Sequence, residues 1–277
     1  MMNHQKLIKS LLPLCEQAGA AIMQVYKHKD FAIDTKQDQS PVTSADLAAH
    51  EIIQQGLLAL TPDIPQLSEE GKTVSFEQRQ QWDRFWCIDP LDGTKEFIQG
   101  NDEFTVNIAL IENNKPVLGI IYVPVSKTCY WGSTQLQAKK QIDGQHSVHI
   151  RSRPLGQELV ITASRRHGQD NNDRLLKQLY KHFRHVHNHA MGSSLKMCLI
   201  AEGVADFYPR LYPTSEWDTA AAQAIVEAAG GRLVNATNLQ PLAYNEQESL
   251  ENPFFYVCGD PQFPLEEITL RDKTMSI

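Results

Sequence analysis

The chain has 277 residues, 42% hydrophobic and 21% charged, which suits one large domain or two lobes sharing an interface and excludes a largely disordered chain. Its 26 basic and 33 acidic residues give a formal charge of −7 with no basic stripe, which excludes a nucleic-acid polymer as partner. A small anion stays compatible, because bound divalent cations reverse the local charge of an acidic site.

Residues 4–28 have helical spacing, with Leu7, Leu11, Leu14, Ala18, Ala21, Ile22 and Val25 on one stripe. Pro13 marks a kink or a late start in that helix. Ile33 to Val42 is polar and reads as extended or looped. A second helix is predicted over 44–60, carrying Leu47, Ile52, Ile53, Leu57 and Leu58, and Thr61-Pro62-Asp63 stops it. Phe85 to Ile88 is a short apolar strand that ends in Asp89-Pro90. Phe104 to Ile111 and Val117 to Val123 read as a hairpin across the turn signal Asn113-Asn114, and Tyr130-Trp131 continues the meander.

Residues 133–157 are polar and rich in Gly and Gln, and they mark a boundary between two lobes, 1–155 and 156–277. Beyond it, strands at Leu159 to Thr162, Ala205 to Tyr208 and Arg232 to Val234 alternate with helices at Asn172 to His182, Ser194 to Glu202 and Asp218 to Ala229. Gly230-Gly231 caps the last of these helices. Such alternation indicates an α/β layer. The five cysteines, Cys15, Cys87, Cys129, Cys198 and Cys258, are scattered and form no CxxC pair, so reduced thiols in a cytoplasmic protein are expected. The N-terminal region lacks an apolar signal core, and no stretch reaches the roughly 18 apolar residues of a membrane span. The expectation is a soluble protein, free or held peripherally at the cytoplasmic side of the inner membrane.

Three acidic sites stand out: Glu69-Glu70, then Asp89-Pro90-Leu91-Asp92-Gly93-Thr94, then Asp218 in Trp217-Asp218-Thr219. Asp89 closes an apolar run, so its carboxylate is expected where the strand leaves the core. A tight turn there aims Asp89, Asp92 and the Leu91 carbonyl at one point, the oxygen-rich set that magnesium wants. Gly93 lets the backbone bend, and Thr94 to Phe97 opens a helix whose free N–H groups suit phosphate. Each site also has a plainer reading. Asp-Pro/Asp-Gly is a common turn, Glu69-Glu70 a solvated pair, and Asp218 a helix cap. Asp46, three residues after Thr43, fits a capping box, or else it orients Thr94; periodicity does not separate the two.

Taken together, S-E-E at Ser68 to Glu70, D-P-L-D-G-T-K-E-F at Asp89 to Phe97 and W-D-T-A-A at Trp217 to Ala221 carry a resemblance, with K-x-D-x-S-P-V-T-x-A-D upstream from Lys36 to Asp46. They resemble the lithium-sensitive, magnesium-dependent phosphatases of the inositol monophosphatase superfamily. The K-E-F ending and G-S-S-L-K at Gly192 to Lys196 are similar to its 3'(2'),5'-bisphosphate nucleotidase branch. The resemblance covers nearly the whole chain and implies an α+β/α/β fold, a layered αβαβα sandwich of two lobes with the site between them.

It also implies roles. Glu69, Asp89, the Leu91 carbonyl, Asp92 and Asp218 would bind two or three Mg2+ ions, and Asp46 and Thr94 would activate water. Gly93, Thr94, Ser194, Lys196, Arg210 and Asp218 would contact substrate. His167 would lie near base and sugar, although Arg166 replaces the small residue expected in S-R-S-H. The implied reaction is hydrolysis of adenosine 3',5'-bisphosphate, or of its sulfated analogue PAPS, linked to sulfate assimilation, by a monomer or homodimer. Inositol monophosphatase or fructose-1,6-bisphosphatase activity is the nearest alternative, and a non-catalytic nucleotide or metal sensor the more distant one. Aspartyl-phosphate chemistry uses D-x-D-G-T, one residue shorter than the D-x-x-D-G-T here.

Overall fold

The computed structural model describes residues 2–28, 33–35, 41–163 and 169–268. In chain order the elements are α1 (His4–His28), β1 (Ile33–Thr35), β2 (Pro41–Thr43), α2 (Ser44–Leu60), β3 (Gln66–Ser68), α3 (Phe76–Arg79), β4 (Arg84–Asp92), α4 (Thr94–Gln99), β5 (Thr105–Glu112), β6 (Lys115–Val123), β7 (Thr128–Ser133), β8 (Leu136–Ile142), β9 (Val148–His149), β10 (Glu158–Ala163), α5 (Gln169–His182), β11 (His185–Ala190), α6 (Leu195–Ala201), β12 (Phe207–Arg210), α7 (Glu216–Ala228), β13 (Arg232–Asn235), β14 (Phe255–Cys258) and α8 (Leu265–Ile268).

Strands β3 to β9 form a seven-stranded sheet in sequence order, antiparallel except for the parallel β3–β4 pair. Five more strands form a second sheet, ordered β11-β10-β12-β14-β13. The period-two alternation of a strand assigns side chains to opposite faces. On the large sheet Trp86, Ile88, Val106, Ile108, Leu110, Leu118 and Ile120 pack with α1 and α2. Cys87, Ala109, Ile111 and Ile121 point the other way, against α6, α7 and the inner face of the small sheet. The outer face of the small sheet packs on α5 and α8 through Leu159, Ile161, Phe207 and Phe263. The result is the expected αβαβα sandwich.

Several local expectations need correction. Pro13 neither starts nor stops α1: it lies inside the helix, on its exposed face. The polar stretch 133–157 holds β8 and β9, because strand pairing with β7 decides the backbone there despite weak alternation. Strands β11 and β14 were also outside the expected set. The first is a polar, exposed edge strand and the second a fully buried one. Strand β12 begins at Phe207 rather than Ala205. The predicted hairpin is present: Asn113 and Asn114 turn at φ 49° and 63°, the left-handed values a two-residue hairpin turn requires.

Helix α7 lies across β4 to β8 and also touches β13, so it is sandwiched between the sheets. Its buried residues include a run of small side chains (Ala220, Ala221, Ala222, Ala224), and Ala221 and Ala224 meet the paired glycines Gly119 and Gly132. A Cβ on Gly119 would stand 2.1 Å from the Ala221 carbonyl oxygen. Gly119→Ala is therefore expected to force α7 off the sheet and to cost about 1–3 kcal/mol, read as a lower urea midpoint. A midpoint equal to the parent's would show that this close approach is not needed.

Candidate metal and active site

Strand β4 sets the site. Asp89 pairs with Asn107 and Asp92 with Thr105, so three steps on β4 oppose two on β5, a bulge of one extra residue. In a regular strand positions i and i+3 face opposite ways; the extra residue brings Asp92 back to the face that Asp89 shares with Asn107. Here the structure corrects the sequence reading. Asp89 does not mark the end of the strand but lies inside it, 1% exposed, and β4 continues to Asp92. The Leu91 N–H donates to Asp89 Oδ1 at 3.0 Å, which folds the turn back on its own carboxylate. Gly93 then adopts φ 96° as the N-cap of α4, a left-handed conformation that glycine adopts freely.

Three distant segments converge on that face. Carboxylate oxygens of Asp89, Asp92 and Asp218 lie within 4.8 Å of one another. Glu69 follows β3, the parallel neighbour of β4, and its side chain hydrogen-bonds Asp89. Asp218 stands in the first turn of α7, where Oδ2 accepts the Ser215 N–H at 2.9 Å in a capping box. Capping and proximity to the cluster thus coexist at Asp218. Burial pushes the Asp89 carboxyl well above its ordinary range, and repulsion from Glu69, Asp92 and Asp218 pushes it further. Asp218 is raised for the same reasons, burial first and then Asp92 and Glu69. An all-oxygen donor set whose charges repel in a desolvated place fits a hard divalent cation such as Mg2+, which relieves both penalties.

Asp46 also combines its two readings. Its Oδ2 accepts from the Thr43 N–H at 2.8 Å and the Thr43 hydroxyl at 2.6 Å, completing the capping box of α2. Its Oδ1 accepts from Thr94 Oγ1 at 3.0 Å. Burial raises the Asp46 carboxyl, while these hydrogen bonds act against the rise.

Ser194 is buried beside the cluster. Its N–H donates to Asp92 Oδ2 at 2.5 Å, and its Oγ lies 2.6 Å from the same oxygen and 3.0 Å from the Asp218 carbonyl. Asn107 Nδ2 donates to Ser194 Oγ at 2.8 Å. The sequence reading missed Asn107; its signal is a lone polar residue inside the apolar run of β5, on the face Asp89 shares.

A cavity of about 320 Å3 opens from Asp92, Gly93 and Asp218. Lys196 and Arg210 line it, and Tyr208 and Tyr212 supply rings. Lys196 is 5% exposed. Its Nζ donates to the Ser193 carbonyl at 2.7 Å and stands 5.3 Å from the Tyr208 ring centre. Burial pushes its pKa down to about 8, although Asp92 opposes this. Arg210 Nη2 donates to the Pro213 carbonyl at 3.2 Å. His167 and the Lys36 to Ser40 part of the upstream motif lie outside the described residues.

The five cysteines are buried and unpaired. No helix among the described residues is long and apolar enough to cross a membrane. The inositol monophosphatase family model matches residues 3–257. The chain is 47% identical over 253 residues to the 3'(2'),5'-bisphosphate nucleotidase CysQ of Salmonella typhimurium, covering 91% of this chain and 99% of that one. It is 36% identical over 266 residues to the CysQ of Haemophilus influenzae, covering 96% and 97%. The crystal structure of CysQ from Bacteroides thetaiotaomicron, a bacterial member of the inositol monophosphatase family, matches with a TM-score of 0.81 at 40% identity, covering 92% of this chain and 97% of that one. Sequence, layer order and carboxylate cluster agree, and the chain belongs to the inositol monophosphatase family.

Proposed function

We propose that this chain is a magnesium-dependent phosphomonoesterase that hydrolyses the 3'-phosphate of adenosine 3',5'-bisphosphate (PAP) to AMP and phosphate, and that of PAPS to APS and phosphate. One observation carries the reading. A carboxylate cluster suited to cations adjoins a cavity that Lys196 and Arg210 also line, so a molecule bearing two phosphates finds cationic partners beside the carboxylates. The names of its relatives point the same way.

Glu69, Asp89, Asp92, Asp218 and the Leu91 carbonyl would hold two or three Mg2+ ions. Bound there, the ions supply positive charge that acidifies the attacking water and stabilises the departing 3'-oxygen. The protein's own groups aim the water. Thr94 Oγ1 donates a hydrogen bond to Asp46 Oδ1, which leaves its lone pairs to accept from water. The Gly93 and Thr94 amides would hold the transferring phosphoryl oxygens, and Asp218 and Ser194 would border the sugar. His167 is retained as a proposed base and sugar contact. The two lobes, 1–155 and 156–277, would hold the site between them. The enzyme would work in the cytoplasm as a monomer or homodimer.

Lys196 carries its charge below a pKa of about 8. KM for PAP is therefore expected to rise as pH passes above 8, and Lys196→Met should remove that rise. A pH-independent KM in the parent would take Lys196 out of phosphate binding. The function itself is tested by phosphate release from PAP, inositol 1-phosphate and fructose 1,6-bisphosphate, with and without Mg2+ and Li+. Mg2+-dependent, Li+-inhibited turnover of PAP above the others supports it. Preference for a sugar phosphate would move the chain to another branch, and no release at all would favour a sensor.

A further inference from the structure

We propose that Arg79 is a positioning residue for Asp218, acting through residues 244–252, which strap the first turn of α7. The inference rests on the metal-binding reading of the acidic cluster. Arg79 ends the one-turn helix α3, is 2% exposed, and lies far from Asp218 in sequence. Its Nη1 donates to Asn245 Oδ1 at 2.5 Å, and its Nη2 donates to the Gln247 carbonyl at 2.9 Å and to the Glu248 carbonyl. Asn245 answers with Nδ2 on the Arg79 carbonyl at 2.6 Å. Its own backbone N–H donates to Glu216 Oε1 at 2.8 Å, two residues before Asp218.

The far end of the strap grips the same turn. The Glu216 N–H donates to the Leu250 carbonyl at 2.9 Å. Asn252 Nδ2 donates to the Ser215 carbonyl at 2.6 Å and lies 3.0 Å from Thr219 Oγ1. The turn from Ser215 to Thr219 is thus held at both ends by side chains buried to within a few per cent.

Physical need explains this investment. The first turn of a helix has no intrahelical partners for its N–H groups, so a helix start frays unless it is tied down. This turn also carries a carboxylate that Asp92 and Glu69 repel. Asp218 Oδ2 is committed to Ser215 N–H, so the carboxylate goes where the turn goes. A ligand must be held within about 0.5 Å of its productive place, and loss of an outer support commonly weakens metal binding about 10–100-fold. Arg79 suits the task because its planar fork reaches a side-chain oxygen and two carbonyls at once, which a lysine does not.

A plain core arginine would affect stability alone, so the test reads metal affinity in the folded protein. Mn2+ is titrated calorimetrically into the parent, Arg79→Met, Arg79→Lys and, as a remote core control in α2, Ile53→Val. The expected result is a Kd for Mn2+ raised about tenfold or more in Arg79→Met and raised less in Arg79→Lys, with KM for PAP within about twofold at saturating metal. Ile53→Val should lower Tm and leave Kd unchanged. Should Arg79→Met not fold, Arg79→Lys carries the test. Parent-like Kd values in the folded Arg79 variants would overturn the proposal. A parent that binds no Mn2+ overturns this proposal and the metal reading together. A parent that binds Mn2+ but leaves PAP intact overturns only the substrate reading, and the Kd comparison still decides the role of Arg79.

Discussion

Asp89→Asn should fold like the parent and release phosphate from PAP at least about 10³-fold more slowly. Asp89 is the most enclosed of the three clustered aspartates, and every neighbouring carboxylate opposes its charge. Asparagine keeps the shape and the oxygen that accepts from the Leu91 N–H, but removes the charge that a divalent cation needs. The sign of the stability effect follows from the raised carboxyl. The folded state binds more protons than the unfolded one between the unfolded and folded pKa values, so this carboxylate's contribution to stability falls as pH rises through that window. Removing the charge should therefore raise Tm in EDTA at neutral pH. It should also abolish most of the Tm gain on adding Mg2+, since a ligand stabilises only the state that binds it. A variant with parent-like turnover and a parent-like Mg2+ response would take Asp89 out of the site.

Thr94→Ala should lower kcat by about 10²–10⁴-fold while KM changes little, because positioned proton acceptance acts in the transition state and not in ground-state binding. Thr94→Ser retains the hydroxyl and should recover much of the rate. Thr94 is a cleaner probe than Asp46. The latter also closes the capping box of α2 through Thr43, so its substitution mixes catalysis with helix stability. A variant whose KM rises at constant kcat would instead make Thr94 a substrate contact.

How much of this was legible beforehand differs by element. Helices α1 and α2 were readable because one apolar stripe at helical spacing must be buried somewhere, whatever covers it. The β5–β6 hairpin was readable because Asn113-Asn114 tolerates left-handed backbone where few residues do. The strand at β8 was not, since Gln137, Lys139 and Lys140 give little alternation and the hydrogen bonds to β7 hold the strand. Strand β11 was missed for a related reason: its side chains are mostly exposed, and parallel pairing with β10 alone defines it. For Asp46 and Asp218 the sequence posed capping against function as alternatives, whereas each carboxylate has two oxygens and one side chain meets both demands.

The amino-acid sequence by itself determined the chemical inventory: which residues are acidic, which stripes are apolar, where the chain must turn, and that the acidic motifs occur in this order. Only the tertiary structure decided that Glu69, Asp89 with Asp92, and Asp218 share one place. Periodicity records which face of an element is apolar; it does not record the bulge in β4 that turns Asp92 to the side of Asp89. Nor does it record the glycines at 119 and 132 that let α7 settle close enough to bring Asp218 in. The bulge depends on the register between β4 and β5, and the seating of α7 on contacts such as that of Gly119 with Ala221, far apart in the chain; such contacts exist only once strands and layers have packed.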